Sequence, residues 1–325
     1  MNPTRRLFAL GAIACAALAA TGTALAQFPD KPLRIVVGAP AGGTADIVAR
    51  TLSEGLAQQL GQPVMVDNKP GGAGLIGLQE VLKAPRDGHT VLVSVNGIVS
   101  EIPHAMKLPV DPMKELRPVA EIARTGLLFV AGPNVPASNL KEAIAYVKAN
   151  PGKVNYGSYS PGTLSHTLGL ELNKLAGTDM VHVGYKGSPP ALTDLIGGHV
   201  SFMFDGPATS IPMIKGGKIK VFATTAPARL SMLPDVPRCG ELGYKALTET
   251  AWMGLFPPPD VPAAAQARLR DAVLKVLEQP AVRQRFTALG LDMAPPASPD
   301  ELVRSLRAAS DRQAATLKAV GFKPE

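Results

Sequence analysis

The sequence predicts a two-lobed α/β protein, each lobe built on a doubly wound sheet, and three observations carry that reading. Short apolar runs alternate with stretches of helical periodicity, the order that strand–helix–strand units require. The alternation runs through the first third of the chain and restarts near Leu127. The 325 residues give length for about two domains, and 32 glycines with 31 prolines supply turns for many short elements.

The elements follow in order. Residues 33–39 (LRIVVGA) are an apolar run suited to a buried parallel strand. Pro40-Ala41-Gly42-Gly43 is a turn, and Thr44 caps a helix whose Ile47, Val48, Leu52, Leu56 and Leu60 share one face, with Gly61 as its stop. A strand at 64–66, a loop at 68–72, a helix at 74–83, a turn at 86–88 and a strand at 90–95 complete the first round. The second round places strands at 127–131, 154–158, 181–185, 201–205 and 219–224. Its helices fall at 140–149, from the turn at 159–163 to Gly177, and at 190–196. The tail reads as helix over 262–289 and 299–320.

The first 26 residues read as an export leader. Arg5 and Arg6 precede an apolar run over 7–20, and Ala24-Leu25-Ala26 gives a small-x-small site, so cleavage is expected before Gln27. Gly11, Thr21, Gly22 and Thr23 interrupt the run, which argues against a membrane anchor. Residues 4–8 (TRRLF) also resemble a twin-arginine signal, and the choice between folded and unfolded export stays open. Cleavage removes Cys15 and leaves Cys239 alone, so no intramolecular disulfide is expected. It also lowers the formal charge of +7 by two, and the remaining excess is dispersed. Aromatics make up 5% and interleave with no basic patch, so nucleic acid is not an expected partner.

Chemistry is notable by what lacks support. Gly72-Ala73-Gly74-Leu75-Ile76-Gly77 spells a dinucleotide fingerprint, but the stretch that should end in an acid ends in Val95-Asn96. Ser158-Tyr159-Ser160-Pro161-Gly162 misses the first glycine of a hydrolase nucleophile elbow. His89, His104, His166, His182 and His199 form no metal-binding spacing. Neither a cofactor, a metal nor catalysis is expected. What remains is a device that occurs twice: small residues after a strand feed a helix N-terminus, at 40–46 and again at 158–166. Unpaired amides of a first helical turn carry partial positive charge and receive anions.

At these residues the chain resembles the extracytoplasmic receptors of tripartite tricarboxylate transporters, the Bug or TctC-type family. The resemblance rests on GGTADIVAR at 42–50, NKPGGAG at 68–74, DGHT at 87–90, and Tyr156-Gly157-Ser158 with Gly162, Ser165 and His166. It extends to YKGSPPAL at 185–192, LPDVP at 233–237 and WMGLFPP at 252–258. It implies a type II periplasmic-binding-protein, or Venus flytrap, fold with chain crossings near Ala123 and Thr250. Lobe I would be 27–123 plus 251–325, and lobe II 124–250. It implies a monomer that closes on a small carboxylate ligand and hands it to membrane permease subunits. Gly38-Ala39 stands where the family usually has Pro-Phe, which leaves the ligand's size open. A helical tryptophan common near the family's C-terminus is replaced within 313–316, which we read as a packing change.

The expected ligand contacts are the amides of Gly42, Gly43 and Thr44 from lobe I, with Ala39 on the wall and Asn68 and Asn96 beside them. Ser158, Ser160, Gly162, Thr163, Ser165 and His166 serve from lobe II, and Tyr185 and Asp205 tune selectivity from strand ends. Asp46 either joins them or caps its own helix. A sensor that signals to a membrane kinase without transport would use the same site. An exported hydrolase would need a nucleophile–base pair, with Ser160 as its candidate. Within the carboxylate class, the residues do not separate di- or tricarboxylates, amino acids and aromatic acids.

Overall fold

The computed structural model describes residues 28–324. The expected leader, Cys15 and the cleavage junction at Gln27 lie outside the described residues. Two five-stranded sheets organise the chain.

The first sheet takes β1 (Leu33–Val37), β2 (Val64–Asn68), β3 (Thr90–Val95), β4 (Ala120–Thr125) and β10 (Ala251–Phe256) in the order β2-β1-β3-β10-β4. The second takes β5 (Leu128–Ala131), β6 (Asn155–Ser158), β7 (Val181–Gly184), β8 (Phe202–Asp205) and β9 (Lys220–Thr224) in the order β7-β6-β8-β5-β9. The two orders are the same pattern. In each, three parallel strands of the α/β unit carry one antiparallel neighbour, β10 against β3 and β4 or β5 against β8 and β9. The chain leaves the first sheet after β4 and returns to it at β10, which gives two crossings. Neither β4 nor β10 carries a plain strand signal: AEIART is broken by charges, and AWMGLF runs into prolines.

Helices cover both faces: α1 (Thr44–Leu60), α2 (Leu75–Lys83), α3 (Gly97–Ser100) and α4 (Pro112–Glu115) in the first lobe, and α5 (Leu140–Ala149), α6 (Leu164–Ala176), α7 (Ser188–Gly197) and α8 (Pro207–Lys215) in the second. The tail forms α9 (Ala263–Glu278), α10 (Pro280–Ala288) and α11 (Pro299–Ala319). The expected helix over 262–289 is therefore two, broken where Gln279 turns extended before Pro280. Gly43, not Thr44, is the N-cap of α1, and Thr44 is its first helical residue. Ser298 and Glu301 close a reciprocal capping box on α11.

Burial follows the predicted faces. Val48, Leu52 and Leu56 of α1 meet Val273 and Val276 of α9 in the first core, with Ile35 and Val93 beneath them. A Cβ at Gly55 would lie 2.8 Å from Val276 Cγ1, so the two helices need that glycine to approach. In the second core, Phe129 is ringed by Phe202, Phe204 and Phe222 at centroid distances of 5.3, 4.8 and 6.2 Å. Ala208 of α8 is buried in the first lobe's core, although its chain neighbours belong to the second sheet. Among the described residues no helix is long and apolar enough to cross a membrane, and no group of three His, Cys, Asp or Glu could hold a metal ion.

Candidate ligand-binding cleft

The carboxyl ends of the parallel strands of both sheets point into one gap, where open α/β sheets place their ligands. The loops after β1, β2 and β3 meet those after β6, β7 and β8 around a cavity of about 150 Å³. Gly38, Thr44, Gly74 and Glu101 line it from the first lobe, and Tyr159, Thr163, Ser188 and Gly206 from the second. The lobes touch across it. A Cβ at Gly187 would lie 2.7 Å from Pro40 Cδ, and one at Gly206 would lie 2.7 Å from Thr44 Oγ1.

On the first-lobe wall, Ala39, Gly43 and Thr44 face the cavity. The Gly43 amide turns back to the Pro40 carbonyl at 3.1 Å. Thr44 and Ala45, the first two residues of α1, have amides with no acceptor among the described residues, as the first turn of a helix dictates. The loop that presents them is held from behind. Asp46 accepts from the Gly42 amide at 2.9 Å and from Arg50 Nε at 2.9 Å. Arg50 also donates to Asn68 Oδ1 at 3.0 Å, and Asn68 Nδ2 donates to the Ala39 carbonyl at 3.0 Å. Burial works to raise the Asp46 carboxyl, but the Arg50 and Gly42 bonds outweigh it and hold it below the usual aspartate range. Gly42, Asp46 and Asn68 thus brace the loop and do not line the cavity. Asn96 is engaged too, accepting from the Trp252 amide at 2.9 Å and donating to Ser100 at 3.2 Å.

Gly38 sits against a second stretch of backbone. A Cβ there would lie 2.9 Å from Gly74 Cα, so the Gly74 backbone occupies the space a side chain at 38 would fill. The wall at this point is peptide backbone.

On the second-lobe wall, Thr163 faces the cavity and its hydroxyl donates to the Ser160 carbonyl at 2.7 Å. The other expected contacts lie behind it. Ser158 Oγ sits 2.6 Å from His182 Nε2, Ser165 Oγ donates to the Phe204 carbonyl, and the Gly162 amide donates to His166 Nδ1 at 2.9 Å. Ser160 contributes its carbonyl to the turn, and the Tyr185 hydroxyl donates to Asp194 at 2.7 Å. None of these side chains lines the cavity. Asp205 is fully buried one layer back. It accepts from Tyr159 at 2.9 Å, Thr209 at 2.7 Å and Ser210 at 2.5 Å. Burial pushes its carboxyl up while those hydroxyls pull it down. Its effect on the cavity is indirect: it fixes the Tyr159 hydroxyl, which also receives the Gly206 amide at 2.7 Å.

Two polar groups on the wall were not among the expected contacts, Ser188 from within the YKGSPPAL stretch and Glu101 from outside every motif. Ser188, at the start of α7, is buried, and its hydroxyl is one of those that pull the Asp205 carboxyl down. Glu101, just after α3, is 8% exposed, and its Oε2 accepts the Leu164 amide of α6 at 2.8 Å across the cleft. Burial pushes its carboxyl up to about 7, against the pull of that amide and with the negative charge of Glu249 adding to the rise. A glutamate in SEIPH belongs to no motif, so only the fold brings it to the cavity.

The chain and its fold have known relatives. Residues 48–322 match the model of the tripartite tricarboxylate transporter family receptor. The periplasmic binding protein BugD superposes with a TM-score of 0.87 at 31% identity, over 92% of this chain and 100% of BugD. A protein of R. palustris solved with adipate gives a TM-score of 0.87 at 27% identity, over 92% of this chain and 100% of its own. MatC of Rhodopseudomonas palustris, solved with bound malate, gives 0.82 at 31% identity, over 89% of this chain and 100% of its own.

Proposed function

Because the chain belongs to the tripartite tricarboxylate transporter receptor family, we propose that it is a periplasmic receptor that closes on one small carboxylate and delivers it to membrane permease subunits. The observation that carries this reading is the pair of unpaired amides, Thr44 and Ala45, at the N-terminus of a 17-residue helix on the wall of the inter-lobe cavity. Such a terminus holds roughly half a positive charge and two directed donors. Relatives solved with adipate and malate support a carboxylate in this gap. The division into lobes at 27–123 plus 251–325 and 124–250, export by the leader with cleavage before Gln27, and action as a monomer belong to the same proposal.

Closure follows from differential contact. A ligand that touches the first-lobe amides and the second-lobe wall gains its full set of bonds only when the lobes meet. Moving the population from 1:99 to 99:1 takes about 5.5 kcal/mol of such difference. Among the described residues no nucleophile–base pair lies on the cavity wall: the Ser158–His182 pair sits behind it and Ser160 contributes only a backbone carbonyl to its turn, so turnover is not part of the proposal.

A thermal-shift screen of organic acids on refolded, ligand-stripped protein tests this. An acid at 100 times its Kd should add about 2.7 kcal/mol, a rise of several degrees. A flat response across mono-, di- and tricarboxylates, amino acids and aromatic acids would remove the receptor reading.

A further inference from the structure

The second lobe's anion position is already filled, and by the protein itself. The Leu164 amide, the first of the 13-residue helix α6, points to Glu101 Oε2 at 2.8 Å. A ligand carboxylate seeking that amide would have to displace a carboxylate covalently fixed to the other lobe. Glu101 is nine-tenths buried, lines the cavity, and its Oε1 has no hydrogen-bond partner among the described residues. Ser188 Oγ, on the same wall, leans on the buried Asp205 carboxyl and keeps its lone pairs for an incoming donor. Glu101 Oε1 is therefore an acceptor on the cavity wall that a bound donor can complete, in a site where a carboxylate left without one is costly.

We propose that Glu101 sets the ligand class, leaving one carboxylate seat at α1 and one seat for a cationic hydrogen-bond donor, so that the receptor takes an α-amino acid and rejects simple dicarboxylates. The inference rests on the receptor reading above. The ligand carboxylate takes the Thr44 and Ala45 amides, and its ammonium takes Glu101 Oε1, with Ser188 Oγ available as a further acceptor. A dicarboxylate instead places its second negative charge against Glu101, in a site where desolvation magnifies the repulsion. The other charges that bear on Glu101 do not relieve this. Glu249 adds negative charge and is itself offset by Arg312 at 3.9 Å, while Lys186 lines the cavity but is exposed at its rim. An ammonium bound at Oε1 would keep the Glu101 carboxyl ionised. A dicarboxylate could enter only with that carboxyl protonated.

Calorimetric titration of the ligand-stripped mature chain at pH 8 tests the proposal with matched pairs: aspartate against succinate, glutamate against glutarate, alanine against propionate. At least one amino acid should bind, about 100-fold or more tighter than its des-amino partner, since a buried group left unpaired discriminates at this level or above. Glu101→Ala should lose that preference by a similar factor and admit a dicarboxylate, because the Leu164 amide is then free. Should Glu101→Ala not fold, Glu101→Gln, which keeps the bond to Leu164, should still lose the amino-acid preference. Wild-type protein that binds succinate or glutarate as tightly as the amino acid, with Glu101→Gln unchanged, overturns the Glu101 proposal and leaves the receptor reading standing. Dicarboxylate affinity that rises tenfold or more from pH 8 to pH 5.5, without amino-acid binding, overturns it as well and makes Glu101 a protonated donor. No binding by any acid defeats the receptor reading itself.

Discussion

Gln313 Nε2 donates to the Gly162 carbonyl at 2.9 Å, joining the last helix of the first lobe to the loop that opens α6 in the second. The two residues are 151 positions apart, and the Gln313 side chain is buried. The 313–316 stretch therefore does more than fill space: it contributes a bond between lobes. Gln313→Ala would leave the Gly162 carbonyl buried without a partner, a cost of about 1–3 kcal/mol. If the bond exists only when the lobes meet, the cost falls on the closed state and ligand affinity drops about tenfold, at about 1.4 kcal/mol per decade. Titration calorimetry measures this, and an unchanged Kd beside a lowered Tm would show that the bond survives opening.

Gly162 packs directly against the first lobe. Its φ is +79°, and an added Cβ would sit 1.9 Å from Ala105 Cβ of the first lobe. Gly162→Ala therefore meets two obstacles: the left-handed backbone, worth roughly 1–2 kcal/mol, and a clash that only separation of the lobes relieves. Ligand affinity should fall by more than tenfold. Adding Ala105→Gly removes the clash but not the backbone strain, so the double variant should recover part of the loss. Equal Kd values for the single and double variants would show that the clash is not the cause.

Asp46 tests the bracing of the first-lobe loop. Asp46→Ala removes the acceptor for the Gly42 amide and the partner of Arg50, and should cost about 2–3 kcal/mol in urea unfolding near neutral pH. Because the folded carboxyl lies below its ordinary value of 3.8, its contribution is full above that value and is lost as pH falls through the folded one. The gap between wild type and variant should accordingly narrow in acid. A gap that holds constant down to pH 2.5 would mean that the charge contributes nothing and only the hydrogen-bond geometry matters.

Much of the architecture could be read in advance, and the reason is local. Runs such as Thr90–Val95 and the α5 segment Leu140–Ala149 carry their periodicity in their own residues, and there the expected and observed bounds coincide. The strands that link the lobes are different: β4 and β10 become strands because their neighbours in the sheet are there to pair with. The cleft shows the same division. Glycine and hydroxyl content located both loops, yet hydroxyls near a turn most often bond that turn. Ser158 and Thr163, whose hydroxyls both donate to the Ser160 carbonyl, illustrate this, and the donors left over are the Thr44 and Ala45 amides. Which polar atom remains unpaired depends on residues far away in sequence, such as the 63 positions between Glu101 and Leu164.

Two histidines behind the second-lobe wall give the last prediction, and their sign is opposite to that of Glu101. The rings of His166 and His182 lie 3.8 Å apart, tilted by 33°, and burial lowers them to about 3 and about 4, with the neighbouring ring adding to the effect on His166. Geometry agrees: His166 Nδ1 accepts the Gly162 amide at 2.9 Å, which it does only when unprotonated. Both folded values lie below the unfolded 6.5, so the unfolded chain binds more protons as pH falls from about 6.5 towards 4. Their contribution to stability is full above that window and drains away within it. Glu101, raised to about 7 from 4.5, instead costs stability as pH rises through that interval. Glu101→Gln should therefore stabilise the empty protein at pH 8 relative to wild type and not at pH 4. His182→Gln should flatten the acid side of the curve without touching the alkaline side. Imidazole proton resonances give the direct check: those of His166 and His182 should hold steady from pH 8 to pH 5, and a midpoint near 6.5 for either would show that its ring is open to water. Below that range protonated His166 can no longer accept from Gly162, the loop that carries Thr163 loosens, and ligand release should follow the same titration.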